Sequence, residues 1–361
     1  MQKGILMKTF DYTCIPQDLM QPDIIKTISA IHEYKGRQEL YLEAKTDVLG
    51  TMCEIARIQS TDASNRIEGI FTSNKRLNEL MAQKTEPKSR NEAEIAGYRD
   101  VLATIHDSYD YIDLKPGVIL QFHRNLYRHT QSAFAGNWKD SDNAIVEFDA
   151  QGNQTVRFKP LPAIATPDAV AMLCEAYDNA LRKGTYDPLL LACLFTFDFI
   201  CIHPFNDGNG RMSRLLTLLL LYRSGYLVGK YVSIEHEIEA TKETYYEALQ
   251  QSSPGWNEGK NTYAPIVRYL LGVILAAYHD FEDRVQGLAV GKPTKAERIE
   301  AIFSRKVGKV TKADIQAEYP NISQTTVERT LKSLLDSGKI AKIDSGRATG
   351  YVVKKSKARQ H

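Results

Sequence analysis

Apolar residues run almost unbroken from Pro188 to Ile202 (PLLLACLFTFDFICI), and so hydrophobic a stretch must be buried. Beyond it, Met212, Leu215, Leu216, Leu219 and Leu220 recur at helical spacing. Between the two lies Asn206-Asp207-Gly208-Asn209-Gly210, residue types that favour turns and positive φ. The pattern predicts a helix, a tight turn and a second helix.

Helical periodicity also predicts elements over Ile24–His32, from Gln38 to about Gln59, over Asn91–His106 and Lys115–Tyr127, then over Asp168–Lys183, Ile234–Gln250 and Tyr263–Tyr278. Alternating residues over Ala144–Phe148 and Thr155–Phe158 read as two strands around a loop at 149–153. Near the end, helices are expected over Ala296–Arg305, Lys312–Tyr319 and Ser323–Ser337. A hairpin follows, Lys339–Ile343 with Tyr351–Val353, its tip at Arg347. In the last helix Ser323 suits the N-cap, with Val327, Leu331, Leu334 and Leu335 on the buried face.

A hydrophobic fraction of 43% and a charged fraction of 25% are those of a globular protein, and no apolar run is long enough for a membrane span. Five cysteines, an odd number with no C-x-x-C pair, argue against a disulfide framework or a zinc site. With no signal-peptide pattern at the start, a cytoplasmic location is expected. The net charge of +2 hides an asymmetry. Lys292–His361 carries +9 and Met1–Gly291 carries −7, which marks a basic appended module.

The turn region carries the candidate chemistry. A backbone turn feeding a helix N-terminus presents N–H groups and a positive dipole end to an anion. Arg211 and Arg214, three apart, share one face of that helix. Asp207 offers a carboxylate to a hard cation, and His203 can take a proton near neutral pH. Singly, each has a bland structural reading; a base, a cation ligand, a glycine-rich helix start and two arginines within twelve residues form a constellation.

The segment His203-Pro204-Phe205-Asn206-Asp207-Gly208-Asn209-Gly210-Arg211-Met212-Ser213-Arg214 closely resembles the signature of the Fic (Fido) family. The resemblance implies a mainly α fold: a Fic-type helical core with a β-hairpin flap, followed by a small C-terminal α+β domain. It implies transfer of AMP from ATP, with Mg²⁺, to a Ser, Thr or Tyr hydroxyl of a target protein. His203 would be the catalytic base and Asp207 the metal ligand. Gly208, Asn209 and Gly210 would hold the α- and β-phosphates, Arg211 the leaving pyrophosphate and Arg214 the γ-phosphate. Tyr245 and Tyr246 would lie near the adenine, and the hairpin would align the target segment.

Upstream, Ser64-Asn65-Arg66-Ile67-Glu68-Gly69 reads neutrally as a helix end with Gly69 as its stop. It also resembles the family's inhibitory motif, in which Glu68, with Ser64, would deny Arg214 to ATP. At Gly136-Asn137-Trp138-Lys139 the sequence departs from the family's arginine, and Lys139 is assigned no role.

The expected organisation is a helical region with the inhibitory motif over 1–90, a catalytic core over 91–285, a linker over 286–293 and, over 294–361, a unit resembling a winged helix-turn-helix. That unit would present Gln324, Thr325, Glu328, Arg329 and Lys332; its charge favours DNA, while Glu328 and the protein-docking uses of such units favour a protein partner. Rival readings are removal of AMP, transfer of another phosphate-containing group, or a DNA-binding regulator that senses nucleotide. No membrane partner is expected, and a homodimer is left open.

Overall fold

The computed structural model describes residues 8–44, 46–148, 154–289, 294–305, 309–343 and 349–353. It is mainly helical. In chain order the helices are α1 (Pro22–Ala44), α2 (Thr46–Ile67), α3 (Asn74–Met81), α4 (Arg90–Ser108), α5 (Pro116–Leu126), α6 (Thr166–Lys183), α7 (Pro188–Ile202), α8 (Asn209–Arg223), α9 (Ile234–Ala240), α10 (Lys242–Ser252), α11 (Ala264–Ala289), α12 (Lys295–Arg305), α13 (Lys312–Glu318) and α14 (Gln324–Asp336). Strands β1 (Ile145–Phe148) and β2 (Gln154–Phe158) pair antiparallel between α5 and α6. Strands β3 (Val310–Thr311), β4 (Ile340–Ile343) and β5 (Gly350–Val353) form an antiparallel sheet in the order β3-β5-β4.

Helix α7 is the axis of the core. Asp187 caps it, its carboxylate accepting from Leu189 N at 2.8 Å, with Pro188 in the first turn, where a missing N–H costs nothing. Its side chains are buried nearly all round because α6, α8 and α11 pack against it. Each buried Leu or Phe contributes on the order of 1.5–3 kcal/mol relative to exposure. Asp198 interrupts this apolar run and is fully buried. It survives there because Lys8 Nζ (3.1 Å), Trp256 Nε1 (2.6 Å) and the hydroxyls of Tyr12 and Tyr263 all converge on its carboxylate.

Several boundaries depart from the periodicity. The two N-terminal helices extend to fill nearly all of 22–67, and α3 is an element the pattern did not announce. The helix expected over Ile234–Gln250 breaks at Thr241, whose hydroxyl turns back onto Glu237 O at 2.7 Å and ends α9. Helix α11 continues to Ala289, so the first four residues of the expected 286–293 linker are helical, and 290–293 lie outside the described residues. The hairpin loop at 149–153 and Arg347 also lie outside them.

One apolar cluster unites the chain from Tyr12 to Val285. A second is built from residues between Ile299 and Tyr351, together with Ile55 of α2. In it α12, α13 and α14 cover the β3-β5-β4 sheet. Thr311 opens α13 with a reciprocal capping box to Asp314, and Ser323 caps α14.

Candidate functional site

Helix α7 ends at Ile202, and His203 follows in the left-handed conformation at φ 52°. A non-glycine residue held there is strained, and such strain persists only where its surroundings over-determine it. Lys139 supplies part of that constraint. Its Nζ donates to Ile202 O at 3.1 Å and to Asn143 Oδ1 at 3.0 Å, while its backbone N–H donates to Pro204 O at 2.9 Å. Lys139 is nearly fully buried, and burial pushes its ammonium down to about 8. The residue that sequence left without a role thus straps both sides of His203.

The His203 ring faces Ile200 O through Nδ1 at 3.3 Å. A carbonyl can only accept, so Nδ1 carries the proton and Nε2 keeps its lone pair. Burial lowers the imidazole to about 4, and Lys139 pushes in the same direction. His203 is therefore neutral at pH 7, in the tautomer a base requires.

The turn from Phe205 to Gly210 is braced from within. Asn209 Oδ1 accepts from Phe205 N at 2.9 Å, and Asn209 Nδ2 donates to Phe205 O at 2.8 Å. Its side chain is therefore occupied with the loop, leaving its backbone N–H to face an anion. Asp207 Oδ1 accepts from Gly208 N at 2.7 Å, and Arg90 lies 3.6 Å from Oδ2. Gly208 has φ 82°, and a Cβ there would stand 2.9 Å from the Tyr127 hydroxyl. Glycine is required by backbone and space alike. Helix α8 then begins, and Met212 N is the first amide to reach a carbonyl of the turn, Gly208 O at 2.9 Å. The amides before it form the open N-terminal end.

A second brace comes from α5. His123 is fully buried and stacks parallel on Phe205, ring centroids 3.7 Å apart. Gly136 N donates to its Nδ1 at 2.9 Å, which places the ring proton on Nε2, 3.1 Å from Asp207 O. Burial lowers this imidazole to about 4, consistent with that neutral form. His123 thus ties the Gly136 turn to the backbone of the Asp207 turn. Sequence reasoning passed over it, because an isolated histidine within a helix carries no signal of its own.

The two arginines differ. Arg211 is buried against Glu94 (Nη2 to Oε2, 2.8 Å) and the Tyr127 hydroxyl (2.7 Å), with Asn65 Oδ1 at 3.4 Å from Nη1. Glu94, Tyr127 and Asn65 were not among the predicted site residues. Arg214 instead turns to the end of α2: Nε donates to Ser64 Oγ, and Nη2 donates to Ser64 O and to Glu68 Oε1, all at 2.8 Å. Glu68 also lies directly on Gly210, where any side chain would run into Oε1. A carboxylate occupies the start of α8, where an anion is favoured.

Gly69, at φ 77°, ends this segment, and Ile70 N returns to Asn65 O at 2.9 Å. Lys242 Nζ caps Ile67 O at 2.7 Å. Tyr245 is buried and Tyr246 half-buried, their rings 5.4 Å apart. Both sit close enough to Glu68 and Arg214 to feel their charge. Arg157 of β2 lies 5.9 Å from the Tyr246 ring. Phe158 packs edge-on against Trp256, and Asn257 Nδ2 donates to Lys159 O at 3.0 Å, so the hairpin is seated on the 253–258 turn.

Among the described residues no group of three or more His, Cys, Asp or Glu side chains could hold a metal. Asp207, exposed beside the α8 N-terminus, offers a single carboxylate. That suits a hard cation taking most of its oxygens from phosphates and water.

The Fic/DOC family model matches residues 113–221, the stretch containing this turn. The chain is 28% identical over 178 residues to a protein adenylyltransferase Fic of Aedes aegypti, covering 48% of this chain and 30% of that one. It is 32% identical over 119 residues to the adenylyltransferase Fic of Drosophila mojavensis, covering 32% of this chain and 20% of that one. The chain thus spans less than a third of the length of these relatives. Among solved structures, a Fic family protein from Desulfovibrio desulfuricans superposes with a TM-score of 0.61 at 20% identity, over 94% of this chain and 98% of that one. A Fic domain containing signaling protein from Bacteroides thetaiotaomicron also gives 0.61, at 21% identity, over 73% of this chain and all of that one. The fold is that of these proteins.

Proposed function

From the Fic/DOC domain that residues 113–221 carry, we propose that this chain is a protein adenylyltransferase held in check by its own α2. The observation that carries the reading is a neutral, tautomer-fixed His203 beside the open N-terminal end of α8. The named activity of the adenylyltransferase relatives supports it.

In this reading the α8 amides of Asn209, Gly210 and Arg211 receive the phosphates of ATP. Asp207 would hold Mg²⁺, which when bound supplies positive charge to the phosphate oxygens. His203 Nε2 accepts the proton of a target Ser, Thr or Tyr hydroxyl as that oxygen attacks the α-phosphorus and pyrophosphate leaves. Arg211 lies in the same helix start, but its ion pair with Glu94 fixes where its charge sits. The β1–β2 hairpin presents an edge to the target segment, and Tyr245 with Tyr246 lies on the adenine side.

Inhibition follows from occupancy. While Glu68 pairs with Arg214 and covers Gly210, neither is open to a γ-phosphate. An arginine fork bonded to a carboxylate is directional and competes with phosphate for the same donors.

We assign the parts as an inhibitory region over 1–90, a catalytic core over 91–285 and, over 294–361, a winged helix-turn-helix. The element order of the last, with its β3-β5-β4 sheet, supports that assignment. On its exposed α14 face Glu328 pairs with Lys312 at 2.8 Å, so two of its charges already offset one another.

Intact-mass measurement after incubation with ATP and Mg²⁺ tests the reading. One added AMP on the Glu68→Gly chain or on an extract protein, absent once His203→Ala is added, is expected. Addition from a different nucleotide donor only, or Glu68-dependent loss of AMP from a modified protein, would replace it with the corresponding chemistry.

A further inference from the structure

Helix α2 and Glu68, which directly follows it, carry the groups that engage Arg214, and the C-terminal unit grips that helix. Ile55 is buried among Ile315, Tyr319 and the other apolar residues of the second cluster. One turn later Gln59, nearly fully buried, donates from Nε2 to Ala317 O at 3.3 Å and Glu318 O at 3.0 Å. These carbonyls belong to the last turn of α13. From α3, Asn78 Nδ2 donates to Pro320 O at 3.0 Å. From α11, the half-buried Arg284 lies close enough to the Glu318 carboxylate to feel its charge.

The inner face of α2 explains why this grip matters. From Gln59 to Asn65 its buried residues are Gln59, Ser60, Thr61, Ala63, Ser64 and Asn65. They remove little apolar surface from water, so the seat depends on placed hydrogen bonds such as Ser60 Oγ to Ser233 Oγ at 2.9 Å. Gln59 and Ser64 lie about 7.5 Å apart along one helix, and a helix transmits displacement over that distance as a rigid rod.

We propose that docking of residues 312–320 of the C-terminal unit on α2 holds Ser64 and Glu68 on Arg214, and that undocking frees them. The C-terminal unit is then the part through which a signal reaches the catalytic core. The inference rests on Glu68 being inhibitory.

The test uses the full chain carrying Gln59→Ala with Asn78→Ala, in the wild-type and Glu68→Gly backgrounds. Two quantities are read: amide hydrogen exchange over residues 56–70, and incorporation of α-labelled AMP with Mg²⁺. Exchange across 60–68 should rise about tenfold while α7 and α8 keep their protection. Labelling should rise several-fold where Glu68 is present and stay level in Glu68→Gly. Unchanged exchange over 60–68, or an equal change of labelling in both backgrounds, would overturn the proposal. Should Glu68→Gly itself show no labelling, the transferase reading fails, and the exchange result alone decides whether the C-terminal unit holds α2.

Discussion

The Glu68 carboxylate stands 2.8 Å from Arg214 Nη2, and the same oxygen fills the space into which a Cβ at Gly210, at the start of α8, would project. One side chain therefore masks both an arginine and the positive end of a helix. The pair spans 146 residues of chain, so its formation depends on how α2 is seated rather than on local sequence.

Removing that carboxylate should expose the anion site. A charge-assisted hydrogen bond contributes roughly 1.5–3 kcal/mol, so Glu68→Gly should tighten ATP binding by about ten- to a hundredfold. Glu68→Gln, which keeps the shape and loses the charge, should fall between. Calorimetric titration with ATP and Mg²⁺ checks the order of the three chains.

His203 should show an acid limb displaced from the ordinary histidine range. Its imidazole is lowered to about 4, so the protonated fraction stays small down to about pH 5. Transfer by the Glu68→Gly chain should then be nearly level from pH 7.5 to 5.5. Lys139 contributes to that lowering, so Lys139→Met should move the limb upward while loosening the strap on Ile202. A pH profile of single-turnover labelling measures both effects.

Stability should also fall in acid, with a defined sign. His106 and His123 are buried and lowered to about 3 and about 4, below the unfolded value of about 6.5. Between about pH 6.5 and 4 the unfolded chain binds the extra protons, so stability present above that window is lost as pH falls through it. Each histidine contributes a slope of at most about 1.4 kcal/mol per pH unit. Urea midpoints at pH 7, 6 and 5 should fall progressively, and less steeply in His123→Phe.

That same variant separates stacking from bridging. His123→Phe keeps a flat ring for Phe205 but leaves Gly136 N–H without its acceptor and Asp207 O without its donor. It should lose about 1–3 kcal/mol of stability. In the Glu68→Gly background it should raise the Mg²⁺ needed for half-maximal labelling more than it raises the KM for ATP.

Gly208 tests the turn itself. Gly208→Ala meets positive φ and the Tyr127 hydroxyl together and should cost about 1–3 kcal/mol. Tyr127→Phe removes the contacting oxygen but also the acceptor of Arg211 Nη2, so Gly208→Ala should cost less in the Tyr127→Phe background than in wild type, with Tyr127→Phe alone as the reference. Thermal melts of the single and double variants divide the two.

The sequence made α7, the turn and α8 legible because their information is local: an apolar run, turn-forming residues and a leucine period in succession. The β1–β2 hairpin was legible from alternation. What periodicity could not show were the braces contributed by distant elements. Lys139 reaches Ile202 across 63 residues and His123 reaches Asp207 across 84, and neither sits in a pattern that marks it. Asn209 was read as a phosphate contact without saying through which group; its side chain holds Phe205 in place, which leaves the backbone amide for that role in the proposed reading. The Gln59 contacts with α13 were equally invisible, since a polar residue on a helix reads as solvated until its partner is seen.

The most direct test is incorporation of α-labelled ATP into protein with Mg²⁺, comparing wild type, Glu68→Gly and His203→Ala in the Glu68→Gly background. A faint signal in wild type, a strong one in Glu68→Gly and none once His203 is removed is the predicted result. Equal labelling with and without Glu68, or labelling that survives the loss of His203, would contradict it.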